Sequence, residues 1–151
     1  MNKITKREKI DEDLFLVLKT IFHYERVVET RYGLNFDEIY ALQYMRRNPK
    51  ARVTDLSDEL KLPMFTISRL VNRLHQDGYL SKEKDVTDKR NVYLRLEKAG
   101  NDILNEIETA SYDRIAANVA KMKEEEINEL LRMAENLHVV LGVSENVIRQ
   151  A

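Results

Sequence analysis

Apolar residues recur at helical spacing through the first third of the chain. Leu14, Leu18, Ile21, Phe22 and Val28 share one face of a helix predicted over 11–32, with Glu25 as a polar interruption. Gly33 is its expected end. Asn35 then has the character of an N-cap, and Glu38 at the third helical position can bond back to it. This second helix is predicted to run to Arg47, where Asn48-Pro49 stops it.

The next stretch changes period. A short helix is expected over 54–61, with Thr54 as its cap and Leu56 and Leu60 facing inward; Ser57 is small enough for a close helix crossing. Pro63 suits the first turn of the following helix, because its missing N–H would be unpaired there anyway. That helix is expected over 63–77, with Gly78 just past its end. Ile67, Leu70, Val71 and Leu74 form its buried stripe. Thr66, Arg69, Asn72, Arg73 and Gln76 lie opposite, with Ser68 near the boundary. A strand near 79–84, a turn at 85–90 and a strand over 91–96 follow; Val92, Leu94 and Leu96 alternate with Asn91, Tyr93 and Arg95. Helix, turn, helix and basic hairpin, from Leu56 to Leu96, make a winged helix-turn-helix, an architecture that reads duplex DNA.

Two long helices are predicted to close the chain. The first, over 97–122, carries Ile103, Ile107, Ile115 and Val119. The second, over 124–141, carries Ile127, Leu130, Leu131, Ala134, Leu137 and Leu141, with Glu124, Glu125 and Glu126 at the positive end of its dipole. The terminal helices have apolar faces with no obvious partner inside so small a lobe, so a second copy of the chain is the expected cover. The fold class is therefore mainly α with a small β-wing. A dimerisation lobe is expected from 1–34 and 100–151, and a DNA-binding lobe from 35–99.

Charge sharpens this reading. The net charge is −1, yet residues 61–95 hold eight Lys/Arg (Lys61, Arg69, Arg73, Lys82, Lys84, Lys89, Arg90, Arg95) against Asp77, Glu83, Asp85 and Asp88. A basic segment on an acidic body points one surface at phosphates. With no cysteine there is neither a disulfide nor a thiol redox signal. No apolar run is long enough to span a bilayer, and Met1–Lys9 lacks the apolar segment of a secretory signal, so a cytoplasmic protein is expected. His23, His75 and His138 are far apart and match no metal-ligand spacing. No nucleophile–base pattern and no phosphate-binding glycine loop occurs, so neither an enzyme, a metal nor a cofactor is expected.

These residues resemble the MarR (multiple-antibiotic-resistance regulator) family. The resemblance is carried by Leu56-Ser57-Asp58-Glu59-Leu60, by 66–74 with Asp77-Gly78-Tyr79-Leu80, by Asp88-Lys89-Arg90, and by Leu94-Arg95-Leu96-Glu97-Lys98-Ala99-Gly100. It implies a triangular homodimer with the 63–77 helix in the major groove. It also implies a wing whose tip Arg90 enters the minor groove while Asp88 orients it. A guanidinium is attracted to the negative potential of a narrow minor groove, and a carboxylate can hold its fork. Three residues depart from the family pattern. Lys61 stands where a glycine with φ > 0 is common, Phe65 replaces a small polar residue early in the recognition helix, and Glu97 replaces the usual threonine cap after the wing.

The expected DNA-contacting residues are Thr66, Ser68, Arg69, Asn72, Arg73, Lys82, Lys84, Asp88, Lys89 and Arg90. Of these, Lys82, Lys84 and Lys89 suit phosphates rather than bases, giving affinity and salt dependence. Seven of the eleven aromatic residues (Phe15, Phe22, Tyr24, Tyr32, Phe36, Tyr40, Tyr44) fall in the first two helices. Core and dimer packing accounts for them without a ligand. The resemblance adds a second reading: an effector pocket for small aromatic or lipophilic acids, with His23, Arg26, Tyr40 and Tyr44 orienting a carboxylate. The expected function is a dimeric regulator of transcription on a pseudo-palindromic operator, a repressor released by such a ligand. The alternatives are a constitutive DNA-binding regulator and a winged-helix protein-interaction module.

Overall fold

A computed structural model describes residues 7–149, without the Arg149 side chain. The start of the basic stretch Met1–Lys9 and the outer ends of the expected dimerisation segments lie outside the described residues. The chain forms two compact units that meet in sequence between Ala41 and Leu42.

The first unit contains α1 (Arg7–Tyr32) and the first half of α2 (Phe36–Arg47). Gly33 ends α1 as expected, at φ 71°, donating its N–H to the Glu29 carbonyl at 2.8 Å. Asn35 and Glu38 form the anticipated capping box. The Glu38 N–H donates to Asn35 Oδ1 and the Asn35 N–H to Glu38 Oε2, each at 2.9 Å. Glu25 also finds a purpose: its Oε1 accepts the Phe36 N–H at 3.3 Å, tying α1 to the first turn of α2. The apolar stripe of α1 is mostly uncovered. Only Val28 is buried, whereas Leu14, Leu18, Ile21 and Phe22 are 41–57% exposed.

The second unit holds α3 (Val53–Leu60), α4 (Met64–Gln76), β1 (Leu80–Lys84), β2 (Val92–Leu96), α5 (Lys98–Val119), α6 (Glu124–Val140) and α7 (Glu145–Arg149). Thr54 does not cap α3. It lies inside the helix, Arg52 occupies the cap position, and Asp55 accepts the Arg52 N–H at 2.8 Å. Asp55, at the third helical position, reaches back to the N–H of the cap residue itself, the half of a capping box that needs no hydroxyl at Thr54. Ile67, Leu70, Val71 and Leu74 are all buried, as the period of α4 requires. The helix closes in a Schellman arrangement. Gly78 at φ 76° donates to the His75 carbonyl at 3.0 Å, and Tyr79 to that of Leu74 at 2.9 Å.

Between α3 and α4, Lys61 takes φ 54° and ψ 35°, and it is the one non-glycine residue with positive φ among those described. The left-handed region costs a β-carbon residue roughly 1–2 kcal/mol, whereas glycine enters it freely but gives up more chain entropy. Lys61→Gly is therefore expected to stabilise the protein by about 0.5–1 kcal/mol, measured as a rise in the urea midpoint at unchanged slope.

The wing is a two-stranded antiparallel sheet with Leu80 opposite Leu96 and Lys84 opposite Val92. A third backbone segment joins it: Arg52 bridges to Tyr93, and Leu94 donates to the Ala51 carbonyl at 2.8 Å. Glu97 precedes α5 without a side-chain cap bond; its carboxylate accepts the Ser81 hydroxyl across the hairpin instead. Gly100, Leu104 and Ile107 are the buried residues of α5, while Ile115 is 56% exposed. Leu104, absent from the predicted stripe, is fully buried. Arg46 on α2 pairs with Glu108 on α5, and Gln43 donates to the same carboxylate at 3.1 Å. The Arg46 guanidinium holds Glu108 below the usual carboxylate range. No described residue of α6 is buried. α7, not expected from the sequence, follows the turn at Gly142.

Candidate nucleic-acid interface

Helix α4 turns its polar face to solvent because its opposite face is consumed by the core. Ser68, Arg69, Asn72 and Arg73 are exposed, and Thr66 is half-buried at the edge of the stripe. Arg73 Nε lies 4.0 Å from Asp77 one turn on. At the C-terminal end of the helix, His75 Nδ1 bonds the Leu80 carbonyl at 3.0 Å, fixing the helix to the root of the wing.

Directly opposed residues of an antiparallel pair share a face. Lys82 and Lys84 therefore stand on the same face as Leu80, Leu94 and Val92. That face is apolar at the root and basic toward the tip. Lys82 Nζ donates to Asn72 Oδ1 at 2.8 Å, so recognition helix and wing are joined through two of the predicted residues.

The wing tip is organised by Asp85. Its Oδ1 accepts the Thr87 hydroxyl at 2.7 Å, the Thr87 N–H at 2.8 Å and the Asp88 N–H at 3.3 Å. The Tyr93 hydroxyl reaches its other oxygen at 3.3 Å. The Thr87 hydroxyl, followed by the Thr87 and Asp88 amides, holds the Asp85 carboxyl down at about 2. A carboxyl lowered in the folded state contributes order above its unfolded value of about 3.9, and loses it as pH falls through the folded value. The Asp85 carbon resonance is therefore expected to titrate with a midpoint near 2. Asp85→Ala should speed amide exchange at Thr87 and Asp88 at neutral pH.

Asp88 acts on Arg90 through the main chain. Its Oδ1 accepts the Arg90 backbone N–H at 3.0 Å. This sets where the Arg90 side chain departs but not how its fork is turned, a correction to the expectation that Asp88 grips the guanidinium. Lys84, Asp88, Lys89 and Arg90 are all exposed.

Four predicted residues, Ser68, Asn72, Lys82 and Arg90, come together around a cleft of about 320 Å³. Arg52 lines the same cleft and was missed by sequence reasoning. Asp55 grips its guanidinium at 2.9 and 3.1 Å, and that hydrogen-bonded pair lowers the Asp55 carboxyl. The available signal was the Arg52-x-x-Asp55 spacing, which reads as a helix start before it reads as a basic site.

The residues expected to orient an effector have the following surroundings. In the first unit, His23 is exposed and meets the Phe22 ring edge-on at 5.5 Å. Arg26 lies over that same ring at 5.1 Å and pairs with Glu29. Tyr40 is half-buried. In the second unit, Tyr44 lines an open cleft of about 420 Å³ with Arg47, Lys50 and Asp55. Burial, then the nearby Asp55, Glu59 and Asp58 carboxylates, raise its hydroxyl above the ordinary tyrosine value. No cluster of three or more His, Asp or Glu able to hold a metal occurs among the described residues. No described helix is long and apolar enough to cross a membrane.

Residues 32–91 match the sequence profile of the MarR family. The HTH-type transcriptional regulator BilQ of Clostridioides difficile (strain CD3) is 30% identical over 118 residues, covering 77% of this chain and 76% of that protein. The HTH-type transcriptional regulator MgrA of Staphylococcus aureus is 26% identical over 111 residues, 74% of each chain. A MarR family protein from Bacillus stearothermophilus superposes with a TM-score of 0.75 at 22% identity, covering 93% of this chain and 99% of that one. Streptococcus pneumoniae FabT, solved in complex with DNA, superposes with a TM-score of 0.71 at 22% identity, covering 89% and 96%. BilQ and MgrA are named as transcription regulators rather than enzymes, and the profile match runs through α3, α4, β1 and the tip of the wing: the chain belongs to the MarR family of transcriptional regulators.

Proposed function

We propose that this protein is a homodimeric repressor that binds a pseudo-palindromic DNA operator and leaves it when a small aromatic or lipophilic acid binds. One observation carries the DNA half. The exposed polar stripe of α4 is tied through Asn72 and Lys82 to a wing whose tip presents Lys89 and Arg90. Arginine, asparagine and serine are the residue types that hydrogen-bond base edges and phosphates, and the wing lysines add a salt-dependent phosphate term. FabT, a structural neighbour, is solved with DNA, in keeping with this reading.

The dimer reading rests on uncovered apolar surface. Only one of the 26 residues of α1 is buried and none of the described α6 residues is. Segments 1–34 and 100–151 are the proposed dimerisation lobe, and 35–99 the DNA-binding lobe. Two recognition helices would then address half-sites about 34 Å apart. The ligand half rests on residue chemistry: His23 and Arg26 can pair with a carboxylate, and Tyr40 and Tyr44 can flank an aromatic or aliphatic body. Release requires that the ligand bind the DNA-free spacing of the dimer more tightly than the DNA-bound one.

Footprinting on DNA upstream of the protein's own gene, at two salt concentrations, tests the first half. Two protected half-sites and an affinity that falls steeply with salt are expected. Sedimentation should give a dimer. Benzoate and a medium-chain fatty acid, titrated into the footprinting reaction, test the second half. Protection that persists at saturating acid would leave a constitutive regulator, and uniform weak binding would overturn operator recognition.

A further inference from the structure

Phe65 is 69% exposed near the start of α4. At about 100° per residue, Phe65, Ser68, Arg69, Asn72 and Gln76 fall within roughly a quarter to a third of the helix circumference, and Phe65 lies near the middle of that arc. All five are exposed, while Ile67, Leu70, Val71 and Leu74 take the opposite side. The aromatic ring is thus not a core residue displaced to the surface. It sits in the centre of the face that carries Arg69 and Asn72, at the end of the helix from which recognition helices contact base edges. Its predecessor Met64 is also exposed, at 45%. Such a pair donates no hydrogen bond, and its one acceptor, the Met64 thioether, is weak. The pair leaves the groove's donors and acceptors to the residues one turn further on.

The major groove offers one apolar feature that varies with sequence, the C5-methyl group of thymine. We propose that Phe65 is a specificity-determining residue that packs on a thymine methyl in each half-site. This inference rests on the DNA-binding reading above. It explains why a large ring is kept in water in the free protein: in the complex the ring and the methyl leave water together. The same contact rejects cytosine and uracil at that position, because neither presents the methyl group.

The test is selection of duplexes from a randomised library by the wild type, Phe65→Ala and Phe65→Leu, followed by single thymine-to-uracil replacements in the selected site. The wild type is expected to select a thymine at one position of each half-site. Uracil there should weaken binding about three- to five-fold, the worth of one buried methyl group. Phe65→Ala should lose both the thymine preference and the uracil effect while selecting the rest of the motif. Phe65→Leu should keep both. Neither variant should lower the melting temperature, since the ring is exposed. A motif that is unchanged in Phe65→Ala and indifferent to uracil overturns the inference and leaves the DNA-binding reading standing. A wild type that selects no motif overturns both.

Discussion

Gly100→Ala is expected to destabilise the protein by about 2 kcal/mol or more, against the direction that helix propensity alone predicts. Gly100 lies in the first turn of α5, where alanine would ordinarily gain about 1 kcal/mol over glycine. Here a β-carbon would sit 2.3 Å from the Tyr79 carbonyl oxygen and 2.7 Å from Leu96 Cδ1. The leucine methyl can turn aside, but the carbonyl cannot. It belongs to the backbone at the root of β1 and already accepts the Glu97 N–H at 3.0 Å. Relief requires α5 to move away from the base of the wing, which strains the Glu97-to-Tyr79 backbone hydrogen bond just before the helix and uncovers Leu104. Overpacking of this kind costs roughly 1–3 kcal/mol, and more where the obstacle is backbone. For a domain of this length that is a fall in melting temperature on the order of 5 °C. Chemical denaturation of wild type and variant decides it. A variant as stable as wild type would show that α5 and the wing root adjust freely.

Replacing Arg69 and Arg90 together by alanine is expected to weaken operator binding at least about 30-fold while leaving stability unchanged. Both side chains are exposed, one on the recognition helix and one at the wing tip. An arginine that reads a base edge is worth about 1–3 kcal/mol, and the two act from different elements, so their losses should add. Two single variants, one of them at the neighbouring Lys89, separate base reading from phosphate contact. Arg69→Ala should relax the choice of base at one position of each half-site. Lys89→Ala should weaken all sequences alike and lower the slope of affinity against salt by about one charge. Fluorescence anisotropy with the footprinted duplex and with a scrambled one measures each. A double variant that binds as wild type would remove the wing and α4 from the DNA contact and favour a protein partner for this surface.

The same molecule shows where local chemistry is sufficient and where it is not. The buried stripe of α4, the capping box of Asn35 and Glu38, the stops at Gly33 and Gly78, and the alternation of β2 all depend on residues a few positions apart. Each could be read from the order of residues, because 3.6-residue and 2-residue periods and end-group accounting act within one element. The polar face of α4 followed from its apolar one, so most of the proposed DNA-contacting set was legible before any coordinates. At Lys61 the family resemblance left two outcomes, a residue strained at positive φ or a different turn, and the structure has the first.

What the tertiary structure decided is how those pieces meet. Glu97 and Ser81 are sixteen positions apart, and Gln43 and Glu108 sixty-five, and neither pair shares a local pattern. Arg52 reads as a helix start, and only the fold brings it to the cleft with Asn72 and Lys82 and pairs its backbone with Tyr93. Gly100 could be read as a tolerated helix glycine until the Tyr79 carbonyl was found against it. Sequence periodicity assigns a side to each residue of an element, and that was enough for the buried stripe of α4 and its polar opposite face, though not for the start of α3, the burial of Leu104 or α7. Which groups face one another across elements depends on backbone positions set by the packing of the whole lobe, so those contacts became visible only in three dimensions.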